Sequence, residues 1–253
     1  MMRKILLISS VFLLFFPIIT NAEIKTITVT HSYKMGDNDS RNEARRLCLL
    51  EAKRNLLEQA KAYIGSQEGV KNNQLSKEEL SAYSAAILKA ETINEKWIDM
   101  TVTMTVKTVV DSDYSEKLLS RIKRDTSLQN EFKKQQKITK ELEKTITLMQ
   151  KQLQSADIME ADPLRKERNV AINQIDSLEA KKIEIIEGIH KRSRDAIKNI
   201  TTKMTMKNVR EALGQPDAKA YEKYLPHKKN YYVWYYGYSR IYFNQTNMVI
   251  VID

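Results

Sequence analysis

Residues 114–200 read YSEKLLSRIKRDTSLQNEFKKQQKITKELEKTITLMQKQLQSADIMEADPLRKERNVAINQIDSLEAKKIEIIEGIHKRSRDAIKNI. Apolar residues recur there at steps of three and four, through Leu128, Phe132, Leu142, Ile146, Met149 and Leu153, then through Leu164, Ile172, Ile175, Leu178, Ile185, Ile189 and Ala196. This spacing lays a narrow apolar stripe along a helix, the seam of a coiled coil. Pro163 lacks an N–H and restricts Asp162 before it, so the pattern predicts one helix over about 114–161 and a second over about 164–200. At 1.5 Å per residue each would be roughly 55–70 Å long. Two helices of similar length can bury their stripes against each other in an antiparallel hairpin broken at Pro163. A continuous rod would need a second copy of the chain; the matched lengths favour the hairpin. Gln135, Thr139 and Lys182 interrupt the seams, which lowers stability per turn and can fix register.

The composition changes on both sides of this stretch, and the fold class expected is α+β: two small α+β modules, over residues 23–113 and 201–253, joined by a long coiled-coil helical segment over residues 114–200. In the first module Ile27, Val29, Tyr33 and Met35 alternate with Thr28, Thr30, Ser32 and Lys34, as in a half-buried strand. His31 falls on the apolar face, a place for a packed histidine. Ser40 and Glu43 have capping-box spacing, and the helix they open carries Ala44, Cys48, Ala52, Leu56, Ala60 and Tyr63 on one stripe, with Gly65 as its stop. Asp37, Asp39 and Glu43 lack the glycine and distal glutamate of a calcium loop, so capping explains them better. Ser76 and Glu79 open a second helix, and two strands follow, weak over 90–97 and clear where Met100, Val102, Met104, Val106 and Val110 alternate with threonines. The order is β-α-α-β-β. Cys48, the chain's 1 cysteine, permits no intrachain disulfide and reads as a small apolar filler on the buried helix stripe.

The runs EARRLCLLEAKRNLLEQAKAYI and VKNNQLSKEELSAYSAAIL, followed by the threonine-rich strand, resemble the N-terminal domain of the flagellar assembly protein T group and related small periplasmic proteins. The resemblance covers about a third of the chain and brings no catalytic residues with it.

In the last module Thr205 can cap a short helix bearing Val209, Ala212 and Leu213, and Gly214 with Pro216 stops it. A polar loop through Pro226 to Asn230 and three strands, Tyr231–Tyr236, Ser239–Phe243 and Met248–Ile252, complete an antiparallel meander. MTMKNVREALGQP followed by VWYYGYSRIYF and a final apolar strand resembles the SmpA/OmlA (BamE-like) outer-membrane assembly lipoprotein family. That resemblance implies a helix packed on a small meander. The strands are rich in tyrosine, and alternation sends neighbours to opposite faces, so one set serves as core. The other, Tyr232, Trp234 and Tyr236 beside Lys228, Lys229 and Arg240, is the candidate partner-binding patch, since aromatic rings with arginine form binding hot spots.

At the N-terminus Arg3 and Lys4, the apolar run Ile5–Ile19 and the small residues Thr20 and Ala22 follow the order of a signal peptide, residues 1–22, cleaved before Glu23. The apolar run is shorter than a membrane span needs, and no cysteine follows it to take a lipid. These features place the mature chain in a bacterial periplasm or outside the cell, with a peripheral position at the outer membrane in keeping with the second resemblance. The formal net charge is +10, which outside the inner membrane points to lipid head groups, lipopolysaccharide, peptidoglycan or acidic proteins rather than nucleic acid.

No catalytic constellation is legible. GSQEG at Gly65–Gly69 lacks the central serine of a nucleophile elbow. Ser120 and Lys123 have Ser-Lys spacing but sit on a charged helical surface. His31, His190 and His227 are far apart without metal-ligand spacing, and the 6 glycines form no phosphate-binding loop. The expectation is a non-catalytic protein without cofactor or metal, an envelope interaction or assembly protein whose partners are envelope proteins or an outer-membrane complex. A binder of anionic lipid, lipopolysaccharide or peptidoglycan is the alternative. Homo-oligomerisation is open but not favoured.

Overall fold

The strand TVTMTVKTVVD forms the centre of the first sheet. In the computed structural model, which describes residues 24–72, 74–224 and 229–253, it is β3 (Thr101–Asp111), flanked antiparallel by β1 (Ile24–Lys34) and β2 (Glu91–Ile98) in the order β1-β3-β2. Alternation turns Val102, Met104, Val106 and Val110 inward, all essentially fully buried. The opposite face is a lattice of hydroxyls, with Thr30 bonded to Thr105 at 3.0 Å and Ser32 to Thr103 at 2.8 Å. The expected signal peptide lies outside the described residues.

Helix α1 (Arg41–Ser66) lies on the apolar face of this sheet. Its buried stripe of Ala44, Leu47, Cys48, Ala52, Leu56, Ala60 and Ile64 is mostly small, which lets the helix sit close to the strands. Cys48 Sγ donates to the His31 carbonyl at 3.3 Å, and burial pushes its thiol pKa up. Both capping boxes form, at Ser40/Glu43 for α1 and at Ser76/Glu79 for α3 (Lys77–Ile87), with the short α2 (Glu68–Asn72) between them. Gly65 does not stop α1; the helix runs through it to Ser66. A Cβ there would stand 2.7 Å from Leu80 Cδ2, so the glycine serves close approach of α1 and α3.

The molecule is α+β with two antiparallel sheets, but the long helical stretch departs from its sequence reading. It begins as two helices, α4 (Ser112–Arg124) and α5 (Thr126–Leu153). Asp111 caps the first, accepting from Tyr114 N at 2.9 Å, and Asp125 caps the second, accepting from Ser127 N at 3.0 Å and Leu128 N at 3.1 Å. The antiparallel hairpin then turns at residues 154–157 rather than at Pro163. Asp157 accepts from Met159 N and Glu160 N, each at 2.9 Å, and opens α6 (Ile158–Asn199), which passes through Pro163. Pro163 withdraws a donor only from the Met159 carbonyl, and Met159 is 88 % exposed, so water can bond that carbonyl. Asp157 thus opens the helix ahead of Pro163, and the packing of α6 against the helices of the first sheet, rather than the cap alone, offsets the proline.

Nor do α5 and α6 hold two modules apart as a coiled-coil spacer. Ile146, Ala171, Ile172 and Ile175 pack on Leu47 of α1, while Phe132, Ile186 and Ile189 enter the core formed by Leu56, Tyr83 and Leu118. Ion pairs Arg46–Asp176 at 2.9 Å and Lys53–Glu179 at 2.6 Å border the contact of α6 with α1. The apolar surface of the hairpin is wider than a two-helix seam, with Ile185 and Ile186 adjacent, and the surplus is buried against the first sheet's helices.

A buried polar knot fixes this docking. Arg168, 1 % exposed, pairs with Asp39 at 2.8 Å and faces Glu43 at 3.5 Å. Glu43 also takes Arg165 at 2.6 Å, Asn169 Nδ2 at 2.8 Å and the Ser40 N–H at 2.8 Å. Burial alone would raise the Glu43 pKa; the Arg165 hydrogen bond, then those of Ser40 and Asn169, overcome it and bring the carboxyl down to about 2.

After α7 (Met206–Leu213), capped by Thr205, the second sheet is a meander in the order β4-β5-β6-β7: Ala218–Tyr224, Lys229–Tyr236, Ser239–Phe243 and Val249–Ile252. It has one strand, β4, beyond the three that the sequence predicts. The C-terminal part of α6 docks on it. Ser193 Oγ donates to the Tyr236 carbonyl at 3.2 Å and accepts from Tyr238 N at 2.8 Å. Gly237, at φ 62°, makes the β5–β6 turn; a Cβ on it would lie 2.1 Å from the Ile189 carbonyl oxygen. Asp217 accepts from Gly237 N at 2.7 Å and pairs with Arg121 of α4 at 3.0 Å and Arg192 of α6 at 3.1 Å. His190 is stacked on Tyr114 and hydrogen-bonded to it at 3.0 Å, with Tyr238 on its other nitrogen at 3.3 Å.

Candidate functional site

Cross-strand register decides what the aromatic meander can offer. Tyr232 stands opposite Tyr221 and Phe243, and Trp234 opposite Lys219 and Ile241, so these residues share one face with Tyr236. Most of that face is core, because α6 and α7 cover it: Trp234 (4 % exposed) and Tyr236 (1 %) pack with Ala196, Ile200, Val209, Ile241 and Phe243. Tyr236 also donates to the Gly214 carbonyl at 2.8 Å, and burial, opposed by Arg192, pushes its phenol pKa up to about 12. Trp234 and Tyr236 are therefore corrected from partner-binding candidates to core residues.

The rest of the proposed set divides. Tyr232 is exposed, at 47 %. Arg240 stands opposite Tyr235 in the register, hence on the other face, where its guanidinium lies 5.8 Å from the Tyr242 ring and pairs with Asp253. Lys229 is exposed and shares the parity of Tyr231 and Tyr235. Lys228 lies outside the described residues. This second face is also occupied: Val233, Tyr235 and Tyr242 are buried with Ala218 and Ala220 around them, Arg124 sits 4.6 Å from the Tyr235 ring, and Tyr235 donates to Glu222.

What the structure does assemble is a smaller surface at the end of the first face. Tyr221, 59 % exposed, and Tyr232 bring their rings to 5.1 Å between centroids at 53°. Lys219 and Lys223 flank Tyr221 on the same side of β4 by strand parity. Lys219 Nζ and the Arg210 guanidinium each lie 5.3 Å from the centroid of the Trp234 indole, covering it from solvent. Two exposed phenols are thus bordered by cations. Such a surface can accept hydrogen bonds, stack on planar groups and attract negative charge.

Of the residues exposed on this surface the sequence points only to Tyr232, and it names Trp234 beneath them. The signal for the others was present: AKAYEKY alternates Ala218, Ala220 and Glu222 with Lys219, Tyr221 and Lys223, a half-buried edge strand that the nearby prolines obscured. Among the described residues no group of three or more His, Cys, Asp or Glu side chains is placed to hold a metal ion, and no helix is long and apolar enough to cross a membrane.

The fold and this surface define a two-sheet α+β protein whose helical hairpin is shared by both sheets. Comparison with family models, with curated proteins and with solved structures finds no match to the chain.

Proposed function

We infer that the chain is a non-catalytic interaction protein of the bacterial cell envelope, exported by its N-terminal leader, which contacts an envelope protein through the Tyr221–Tyr232 surface. The observation that carries this reading is the exposed tyrosine pair with its cationic border, built on a sheet that spends Trp234, Tyr235, Tyr236, Tyr242 and Phe243 on packing. Rigid aromatic side chains contribute large contact area at low entropic cost, and the cations select an acidic partner. The basic, secreted composition and the resemblance of the last module to outer-membrane assembly lipoproteins support the compartment.

The test is photocrosslinking in intact cells from residue 221 or 232, with residue 144 on the outer face of the hairpin as control, read by mass spectrometry. A defined envelope protein captured from 221 and 232 and not from 144 is expected. Capture of cytoplasmic proteins alone overturns the reading. The cationic border also favours a second reading, direct binding of anionic envelope material. Salt-sensitive binding to phosphatidylglycerol vesicles or to sacculi, lost in Lys219→Glu/Lys223→Glu without a crosslinked protein partner, would establish it instead.

A further inference from the structure

Lys182 breaks the apolar seam of α6, yet it is only 5 % exposed. It lines a cavity of about 200 Å³ between α1, the segment after α3, α5 and α6, whose walls include Leu50, Leu57, Leu88 and Ile175. The buried arginines of the molecule each have carboxylates: Arg121 pairs with Asp125 and Asp217, and Arg168 with Asp39 and Glu43. Lys182 has no carboxylate within 4.0 Å among the described residues. Glu179, one turn away, is taken by Lys53 at 2.6 Å.

Glu143 lines the same cavity from α5, and it too forms no ion pair among the described residues; Arg54, which also faces the cavity, pairs with Glu51 at 3.3 Å. Burial lowers the Lys182 pKa, opposed by the charges of Glu179 and Glu143, and raises that of Glu143, opposed by Arg54 and Lys182. An ammonium and a carboxyl group therefore face one small space without forming an ion pair, among walls that carry Lys53, Arg54, Lys89, Gln136, Thr139 and Glu179 as well as the apolar residues. Both groups keep room for a counter-charge at hydrogen-bond distance.

We propose that this cavity is a binding site for a small zwitterion with an apolar side chain, an amino acid of the leucine class, its carboxylate on Lys182, its ammonium on Glu143 and its side chain against Leu50, Leu57, Leu88 and Ile175. A ligand so placed supplies the missing counter-charge to both groups at once. The size agrees: the space is roomy enough for one ligand of that class, and it is below the roughly 300 Å³ at which sites for drug-sized molecules begin.

The test is isothermal titration of the full mature chain with three probes: L-leucine, 4-methylpentanoate, which lacks the ammonium, and 3-methylbutylamine, which lacks the carboxylate. Leucine is expected to bind one to one, and each truncated probe at least about tenfold more weakly, since each leaves one of the two charges without its ligand partner. In Lys182→Met leucine should bind no better than the amine, and in Glu143→Gln no better than the carboxylate. Retained binding of the unaffected probe in each variant, with an unchanged circular dichroism spectrum, shows that the site is still folded. Tyr221→Ser/Tyr232→Ser should leave leucine binding intact, which separates this site from the surface on the second sheet. The proposal is overturned if leucine gives no one-to-one heat at millimolar concentration, if Lys182→Met leaves leucine affinity unchanged, or if Lys182→Met raises Tm while no probe binds, the result for a lysine that is hydrated only.

Discussion

Glu43 shows how one side chain can serve local and tertiary structure together. Its N3 position closes the capping box of α1, and the same carboxylate receives Arg165 and Asn169 from α6. Its folded pKa of about 2 against an ordinary 4.5 means that the unfolded chain binds the proton more readily. The stabilisation is complete above pH 4.5 and is lost as pH falls towards 2. Its size is on the order of 3 kcal/mol. Glu43→Gln is expected to flatten stability between those pH values, measured by urea unfolding across an acid series; an unaltered acid slope would place the loss elsewhere. Gly237 is the other decisive single residue. Gly237→Ala forces a methyl group into the Ile189 carbonyl and the Ser193 hydroxyl, which would lie at 2.1 and 2.3 Å. A loss of about 3 kcal/mol is expected in the same assay, as for other disruptions of tightly built backbone sites.

At the scale of elements, the hairpin is set by its caps. Asp157→Ala removes the acceptor for two helix N–H groups and should cost about 1 kcal/mol. Pro163→Ala restores a donor inside α6 and should stabilise by about the same or more. Thermal unfolding of the two variants checks the pair; a greater loss from Pro163→Ala than from Asp157→Ala would move the turn to the proline. Most elements were legible from periodicity and caps: β1, α1, α3, β3 and the last three strands lie close to where alternation and the Ser40, Ser76 and Thr205 caps place them. Strand β4 and the breaks at Asp125 and Asp157 were not, because single aspartates and a short alternating segment compete locally with proline, the stronger punctuator in a sequence read without its tertiary contacts.

At the scale of the molecule, α6 belongs to both cores. Its middle part packs with the helices of the first sheet through Ile186 and Ile189, and its end with the second sheet through Ala196 and Ile200. Unfolding should therefore be a single cooperative transition. The chain has 2 tryptophans, Trp97 on β2 and Trp234 on β5, so each single-tryptophan variant, Trp97→Phe and Trp234→Phe, reports on one sheet. In both, the fluorescence midpoint should coincide with that of helical circular dichroism. Midpoints that separate would show two units joined by a passive hairpin.

The sequence by itself determined the α+β class, the alternation that gives the strands it showed their buried face, the caps at Ser40, Ser76 and Thr205, and an antiparallel hairpin in the long stretch, though not the place of its turn. These are properties of neighbours a few residues apart, fixed by the periods of helix and strand. Tertiary structure alone decided where the surplus apolar surface goes, and with it that the hairpin lies on α1 and α3 instead of standing between two modules. It also decided that Trp234 and Tyr236 are core while Tyr232 is surface, because alternation tells which residues share a face and not which face α6 and α7 cover. The exposed pair Tyr221–Tyr232 joins residues of two strands, and the cavity of Lys182 and Glu143 joins residues of two helices. Such juxtapositions depend on register and docking, which are long-range choices made by the whole core.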